Sequence, residues 1–226
     1  MRRKPICVHP VAAPASHGAI NMLILAVGCM LVGCGAGKTP EVSSLSFDKE
    51  GKVSHQIVGQ FEQEYYEKDG LAALARERVD EYCADHGADS VVLGEGDEQD
   101  GKILLHFDYE SEEDYSAFNN RELFVGTLAE AEGRGYHLDQ IAFTSPKGQP
   151  MEISDIEDPE KMQVMIIGMK PTEEMLVNLA GKALYVNQSA HTDLDVSFAG
   201  KSGVRISYPA SESGTTDSVL SYIVFE

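Results

Sequence analysis

The stretch that most limits what this chain can fold into is 22–34, Met-Leu-Ile-Leu-Ala-Val-Gly-Cys-Met-Leu-Val-Gly-Cys, because it takes itself and everything before it out of the folded part. Arg2, Arg3 and Lys4 stand ahead of it, the run is short and apolar, and small residues close it. That is the pattern of an export signal and not of a core element. An uncleaved membrane anchor is the other reading of 22–33, but a run this short stays below the ~17 apolar residues at which spanning begins. The longest later apolar run, 164–169, is shorter still.

The last four residues, Leu31-Val32-Gly33-Cys34, resemble the lipobox of bacterial lipoproteins, in which the cysteine carries a diacylglycerol and the chain is cut just before it. The resemblance implies a signal peptide over 1–33, lipidation of Cys34, and a protein held on the cell membrane facing outside, with the membrane as its partner through the anchor. Cys29 also follows a glycine, but Ala26 stands where a lipobox has leucine, so Cys34 is the expected acceptor.

Cysteine usage agrees with this reading. Cys7 and Cys29 leave with the leader, Cys34 carries lipid, and Cys83 remains as a single thiol that has no internal partner for a bridge. It falls on the apolar side of an expected helix, which favours a packed core thiol over a nucleophile. Without the three leader cations, 15 Lys and Arg face 37 Asp and Glu, a net charge of 15 − 37 = −22. Such a surface repels polyanions, which argues against a nucleic-acid partner.

Residues 35–44, Gly-Ala-Gly-Lys-Thr-Pro-Glu-Val-Ser-Ser, have the composition of a flexible tether, so 34–44 is read as the link between anchor and fold. From Leu45 the pattern becomes short and alternating. Leu45 and Phe47, then Asp48-Lys49-Glu50-Gly51, then Val53, His55 and Ile57 predict a β-hairpin. Asp69 followed by Leu71, Leu74, Ala75, Val79, Tyr82 and Cys83 predicts a helix ending near Gly87. A second hairpin is expected from 91–93 to 103–109. Ser111-Glu112-Glu113-Asp114 and Thr127-Leu128-Ala129-Glu130 both read as capping boxes that open helices, the first carrying Tyr115 and Phe118 inward.

The segment 146–160, with Pro146, Gly148, Pro150 and a cluster of acids, is expected to be a loop or linker. Beyond it lie candidate strands at 162–169, 183–186, 194–198, 204–208 and 219–225. The expected fold is therefore α+β: an antiparallel sheet with packed helices over 45–145, followed by a smaller β-rich, sandwich-like domain over 161–226. Imperfect alternation in Val219, Tyr222 and Val224 predicts a last strand covered on both faces.

Catalytic spacing is absent. His55, His86, His106, His137 and His191 are scattered, and His-Glu-x-x-His, paired Cys-x-x-Cys and Gly-x-Ser-x-Gly do not occur. No catalytic residue and no cofactor is therefore expected. Asp97 and Asp100, in Asp97-Glu98-Gln99-Asp100-Gly101, form the nearest approach to a cation site. The run lacks the alternate spacing and terminal glutamate of a calcium loop, and a hairpin turn accounts for it better. Tyr65 and Tyr66 with Phe61 are candidate ligand-binding aromatics, weighed against a core role.

Asp48-Lys-Glu-Gly-Lys-Val53, Tyr65-Tyr66, Tyr115-x-x-Phe118-Asn119 and Leu123-Phe-Val-Gly-Thr127, taken with the lipobox, resemble a group of uncharacterised lipoproteins of Gram-positive, clostridia-like bacteria. The resemblance implies location and brings no activity. Two functional classes follow from these readings: a binding or interaction module meeting an envelope component or peptide, and an envelope-polymer hydrolase with paired carboxylates.

Overall fold

Leu45 and Phe47, Val53 and Ile57, and Ile103, Leu105, Phe107 and Tyr109 stand at even spacing within their segments, which puts each set on one face of a strand, and the chain begins with such strands. The computed structural model describes residues 39–60, 68–188, 193–209 and 217–226, and 39–226 form one compact unit. First come β1 (Ser43–Phe47), β2 (Val53–Gln60), α1 (Lys68–His86), β3 (Val91–Leu93), β4 (Asp97–Gln99), β5 (Lys102–Tyr109) and α2 (Glu112–Asn119). Then follow β6 (Leu123–Thr127), α3 (Leu128–Gly133), β7 (Phe143–Thr144), β8 (Pro150–Met151), β9 (Gln163–Met169) and β10 (Glu173–Asn178). The last four strands are β11 (Ala183–Asn187), β12 (Asp195–Phe198), β13 (Gly203–Tyr208) and β14 (Val219–Phe225).

The strands make two sheets. The first has the order β12-β13-β10-β1-β2-β5-β3, with β4 also paired to β5; the second runs β6-β9-β14-β11-β7-β8. β1 lies parallel to β10, with Ser43 beside Met175, and the other described pairings are antiparallel. The protein is thus α+β, as the sequence predicts.

One hydrophobic core lies between the sheets and another beyond the second sheet. β9 shows the division: Met165, Ile167 and Met169 join the core shared with Leu45, Val53, Phe107, Val177 and Ile206, whereas Val164 and Ile166 join Phe124, Leu128, Leu138 and Phe143 on the far side. β14 splits in the same way, Ile223 and Phe225 to one side and Tyr222 and Val224 to the other. The expectation of a last strand covered on both faces holds. α1 turns Leu71, Ala75, Val79, Tyr82 and Cys83 to the first core, at the spacing of one helical face. Leu74, expected on that stripe, is instead 63% exposed.

Both expected hairpins form. The second is interrupted by β4, which pairs with β5 through the Asp100-Gly101 turn; φ values of 51° and 74° there are those of the two-residue turn that Asp-Gly favours. Ser111 and Thr127 cap α2 and α3, each accepting a main-chain hydrogen bond from the residue three positions on.

Two expectations need correction. Division into domains at 146–160 fails because both sheets draw strands from either side of that segment: β10, β12 and β13 join β1, β2 and β5, while β9, β11 and β14 join β6 and β7, and β8 inside the segment pairs with β7. The tether also ends earlier than 44. Ser43 and Ser44 belong to β1, and before them Thr39 hydrogen-bonds Asp100 and the Pro40 carbonyl accepts from Lys102.

Candidate functional site

The register of the first sheet gathers acidic residues that the sequence scatters. Val53 pairs with Tyr109, so the 48–51 turn comes to lie beside Glu110 and the start of α2. In that turn one Asp48 side-chain oxygen accepts from the main-chain N–H of Glu50 (2.8 Å) and of Lys52 (2.9 Å), and Gly51 supplies φ of 88°. Ser111 then caps α2, whose first turn presents Glu112, Glu113 and Asp114, a placement favoured by the positive end of the helix dipole.

The second sheet supplies the opposite wall. Ala183 pairs with Phe225, and Glu226 exchanges main-chain hydrogen bonds with Lys182 at 3.1 and 2.9 Å. The approach is possible only at a glycine: a Cβ on Gly181 would stand 1.8 Å from the Glu226 main-chain oxygen. The result is a cleft of about 570 Å³ lined by six acidic residues, Asp48, Glu50, Glu110, Glu112, Glu113 and Glu226, and one basic one, Lys49. Phe225, Val125, Ala180 and Gly181 contribute the apolar part of its lining.

These acids differ in setting. Lys52 reaches Glu110 at 2.8 Å, and that hydrogen bond raises the ammonium pKa. Arg134 lies 3.4 Å from both Glu112 and Glu113, and Lys182 lies 3.3 Å from Glu226. Glu112 is the most enclosed of the pairs' acids; its Oε2 accepts from the Val125 N–H at 2.5 Å. Burial lifts the Glu112 carboxyl above the usual carboxylate range, Glu113 adds to the rise, and the Val125 N–H and Arg134 oppose it. With Lys49 and the paired Lys52, Arg134 and Lys182 the site has a net charge of 4 − 6 = −2, and with one carboxyl tuned upward it can hold a cation or present a proton.

Cys34, Tyr65, Tyr66 and His191 lie outside the described residues. Asp97 opens β4 and Asp100 stands in the β4–β5 turn; Asp97 hydrogen-bonds locally, whereas Asp100 reaches back to the start of the fold. Asp97 accepts from the Glu98 N–H and the Gln99 amide, and Asp100 accepts from the Thr39 hydroxyl at 2.5 Å. Among the described residues no group of three or more His, Cys, Asp or Glu side chains is arranged to hold a metal ion.

The histidines are less isolated than their spacing suggests. On the outer face of the first sheet His106 Nε2 lies 3.1 Å from Asp108 Oδ1, which also accepts from the Ser54 hydroxyl. The hydrogen bond to Asp108 raises the His106 pKa and lowers that of Asp108. Serine here donates to the carboxylate and not to the imidazole, so the cluster has no nucleophile-base pair. Asp108 at two residues from His106 was the sequence signal for it. His86 stacks on Tyr82 at 3.9 Å, and His55 is buried between the sheets. Cys83 donates to the Val91 carbonyl and packs against the core.

No described helix is long and apolar enough to cross a membrane. Compared with protein-family models, curated proteins and solved structures, the chain has no match.

Proposed function

We propose that this chain is a cell-surface lipoprotein, fixed through Cys34 to the outer face of the cell membrane, whose folded part binds a cationic ligand at the envelope. The observation that carries the binding role is the cleft between the 48–51 turn, the start of α2 and the end of β14, lined by six acidic residues together with Val125, Ala180 and Phe225. Charge of one sign in a concave site concentrates ligands of the other sign and sets which partners are refused. The export-like leader and the lipobox resemblance support the location.

Calorimetric titration of the folded part with pentalysine and with spermine tests the binding role. Saturable binding is expected at low ionic strength. It should weaken steeply in concentrated salt, because screening shortens from about 10 Å at 0.1 M to about 3 Å at 1 M. The Glu50→Gln, Glu113→Gln double variant, altered at two exposed positions, should bind at least several-fold more weakly. Equal affinity of variant and parent, or no binding of either probe, overturns the reading.

A hydrolase is the second reading, favoured by one observation: the Glu112 carboxyl is raised by burial while other carboxylates share its cleft. Turnover of envelope polymers that disappears in Glu112→Gln would establish it in place of the binding role.

A further inference from the structure

We infer that the anchored protein stands with the Thr39 end of its first sheet toward the bilayer and the acidic cleft turned away, so that the cleft takes its ligand from the medium and not from the leaflet that holds the anchor. The inference rests on the Cys34 anchor proposed above, and adds to it a direction.

The register of the sheet gives that direction. Thr39 and Pro40 are tied to Asp100 and Lys102, and Lys102 pairs with Gln60, so the chain comes into the fold at this end of β2 and β5. β2 and β5 then run eight residues to the Val53–Tyr109 pair at the other end. Seven steps of ~3.3 Å put that end ~23 Å away. Gly51 and Glu110, immediately beyond it, both line the cleft. The opposite wall agrees: β14 starts at Val219, paired with Met169, and reaches the cleft only at Phe225.

Covalent length then limits the choices. Five residue steps separate Cys34 from Thr39, a reach of at most ~18 Å fully extended. Turning the cleft onto the bilayer would require the chain to run back along the ~23 Å of the sheet, which exceeds that reach. Had the tether extended to Ser44, as its composition suggests, the limit would have been loose. Charge disfavours the intermediate, side-on pose, because the cleft, net 4 − 6 = −2 with its paired cations, meets anionic headgroups with the same sign within a Debye length of about 8 Å.

Energy transfer in vesicles tests this with the full-length, lipidated protein. In a Cys83→Ala background, a donor dye is placed on Glu98→Cys, at the Thr39 end, or on Lys49→Cys, in the cleft turn; both positions are exposed. The acceptor is a headgroup-labelled lipid. Transfer several-fold stronger from position 98 than from position 49 is expected, and a long glycine-serine insert after Lys38 should shrink the difference. Equal transfer from vesicle-bound protein, or stronger transfer from position 49, overturns the orientation and leaves the anchor standing. Protein that fails to float with the vesicles, and behaves as the Cys34→Ala variant does, overturns the anchor and the orientation with it.

Discussion

Replacing His55 with leucine should remove a specific acid sensitivity from this protein. His55 is 7% exposed, between Leu45 and Phe107 on neighbouring strands, with its ring edge-on to Tyr115 at 5.5 Å between centroids. Among the described residues its Nδ1 has no hydrogen-bond partner. Burial pushes its pKa down to about 4, and the charges of Arg121 and His106 push in the same direction. Protonation therefore costs the folded state more than the unfolded one. As pH falls from about 6.5 to about 4, the unfolded chain binds a proton that the native chain refuses, and stability drops. The loss levels off below pH 4, where both states carry the proton. A lowering from 6.5 to about 4 at ~1.4 kcal/mol per pH unit gives about 3 kcal/mol.

The measurement is the difference in unfolding free energy between parent and His55→Leu across that range. Cancelling common titrations matters here, because His106, raised by Asp108, stabilises the fold below its unfolded pKa and loses that contribution as pH rises through its folded one. The offset at pH 7 contains packing terms and decides nothing. The slope does: the variant should gain about 3 kcal/mol on the parent between pH 6.5 and 4. Far-UV circular dichroism of dilute samples is the suitable probe, since the chain has no tryptophan and its pI of about 4.6 lies within the range. Parallel stability curves would refute the reasoning, as would an imidazole resonance for His55 that titrates near pH 6.5.

Three further substitutions have definite signs. Tyr115 is fully buried and its hydroxyl has no partner among the described residues, so Tyr115→Phe should stabilise by about 1 kcal/mol in chemical denaturation; a loss of stability would reveal a hydrogen bond the fold depends on. Thr172 holds φ of 72° in the turn where the Glu173 N–H meets the Lys170 carbonyl, a conformation a β-branched residue resists. Relief of that strain, less the entropy glycine adds to the unfolded chain, should give Thr172→Gly a net gain of about 1 kcal/mol, and an unchanged denaturation midpoint would count against strain. Gly181→Ala drives a Cβ into the Glu226 main-chain oxygen and should cost about 2–3 kcal/mol or detach the end of β14, seen as faster amide exchange at 223–226; wild-type exchange there would show that the contact is not tight.

Local chemistry in this sequence was legible where a few neighbouring residues settle the outcome. Asp48 to Gly51 dictates a turn because its aspartate can bond the following N–H groups, and Ser111 and Thr127 announce helix starts by the same means. What could not be read is pairing across distance. β10 carries Met175 and Val177 toward the core and Glu174 and Asn178 outward, yet Leu176 between them blurs the alternation, and nothing in the strand names β1 as its parallel neighbour. The two sheets interleave strands from both halves of the chain for that reason, where hydrophobic pattern alone suggested two domains in series.

The cleft is a consequence of the same long-range pairing. In the sequence, 37 acidic residues make each one unremarkable, since a solvated acid has no need of a partner. Concentration in one place arises only when the Val53–Tyr109 and Ala183–Phe225 pairs bring the 48–51 turn, the first turn of α2 and Glu226 around one space. Six acidic residues meet around one cleft, and Lys49, Lys52, Arg134 and Lys182 leave a net charge of 4 − 6 = −2 there. A bound cation would relieve the remainder. Neutralising Glu50 and Glu113 should therefore weaken binding, while loss of the Arg134–Glu113 pair and of a negative charge in the first turn of α2 should cost the free fold about 0.5 kcal/mol.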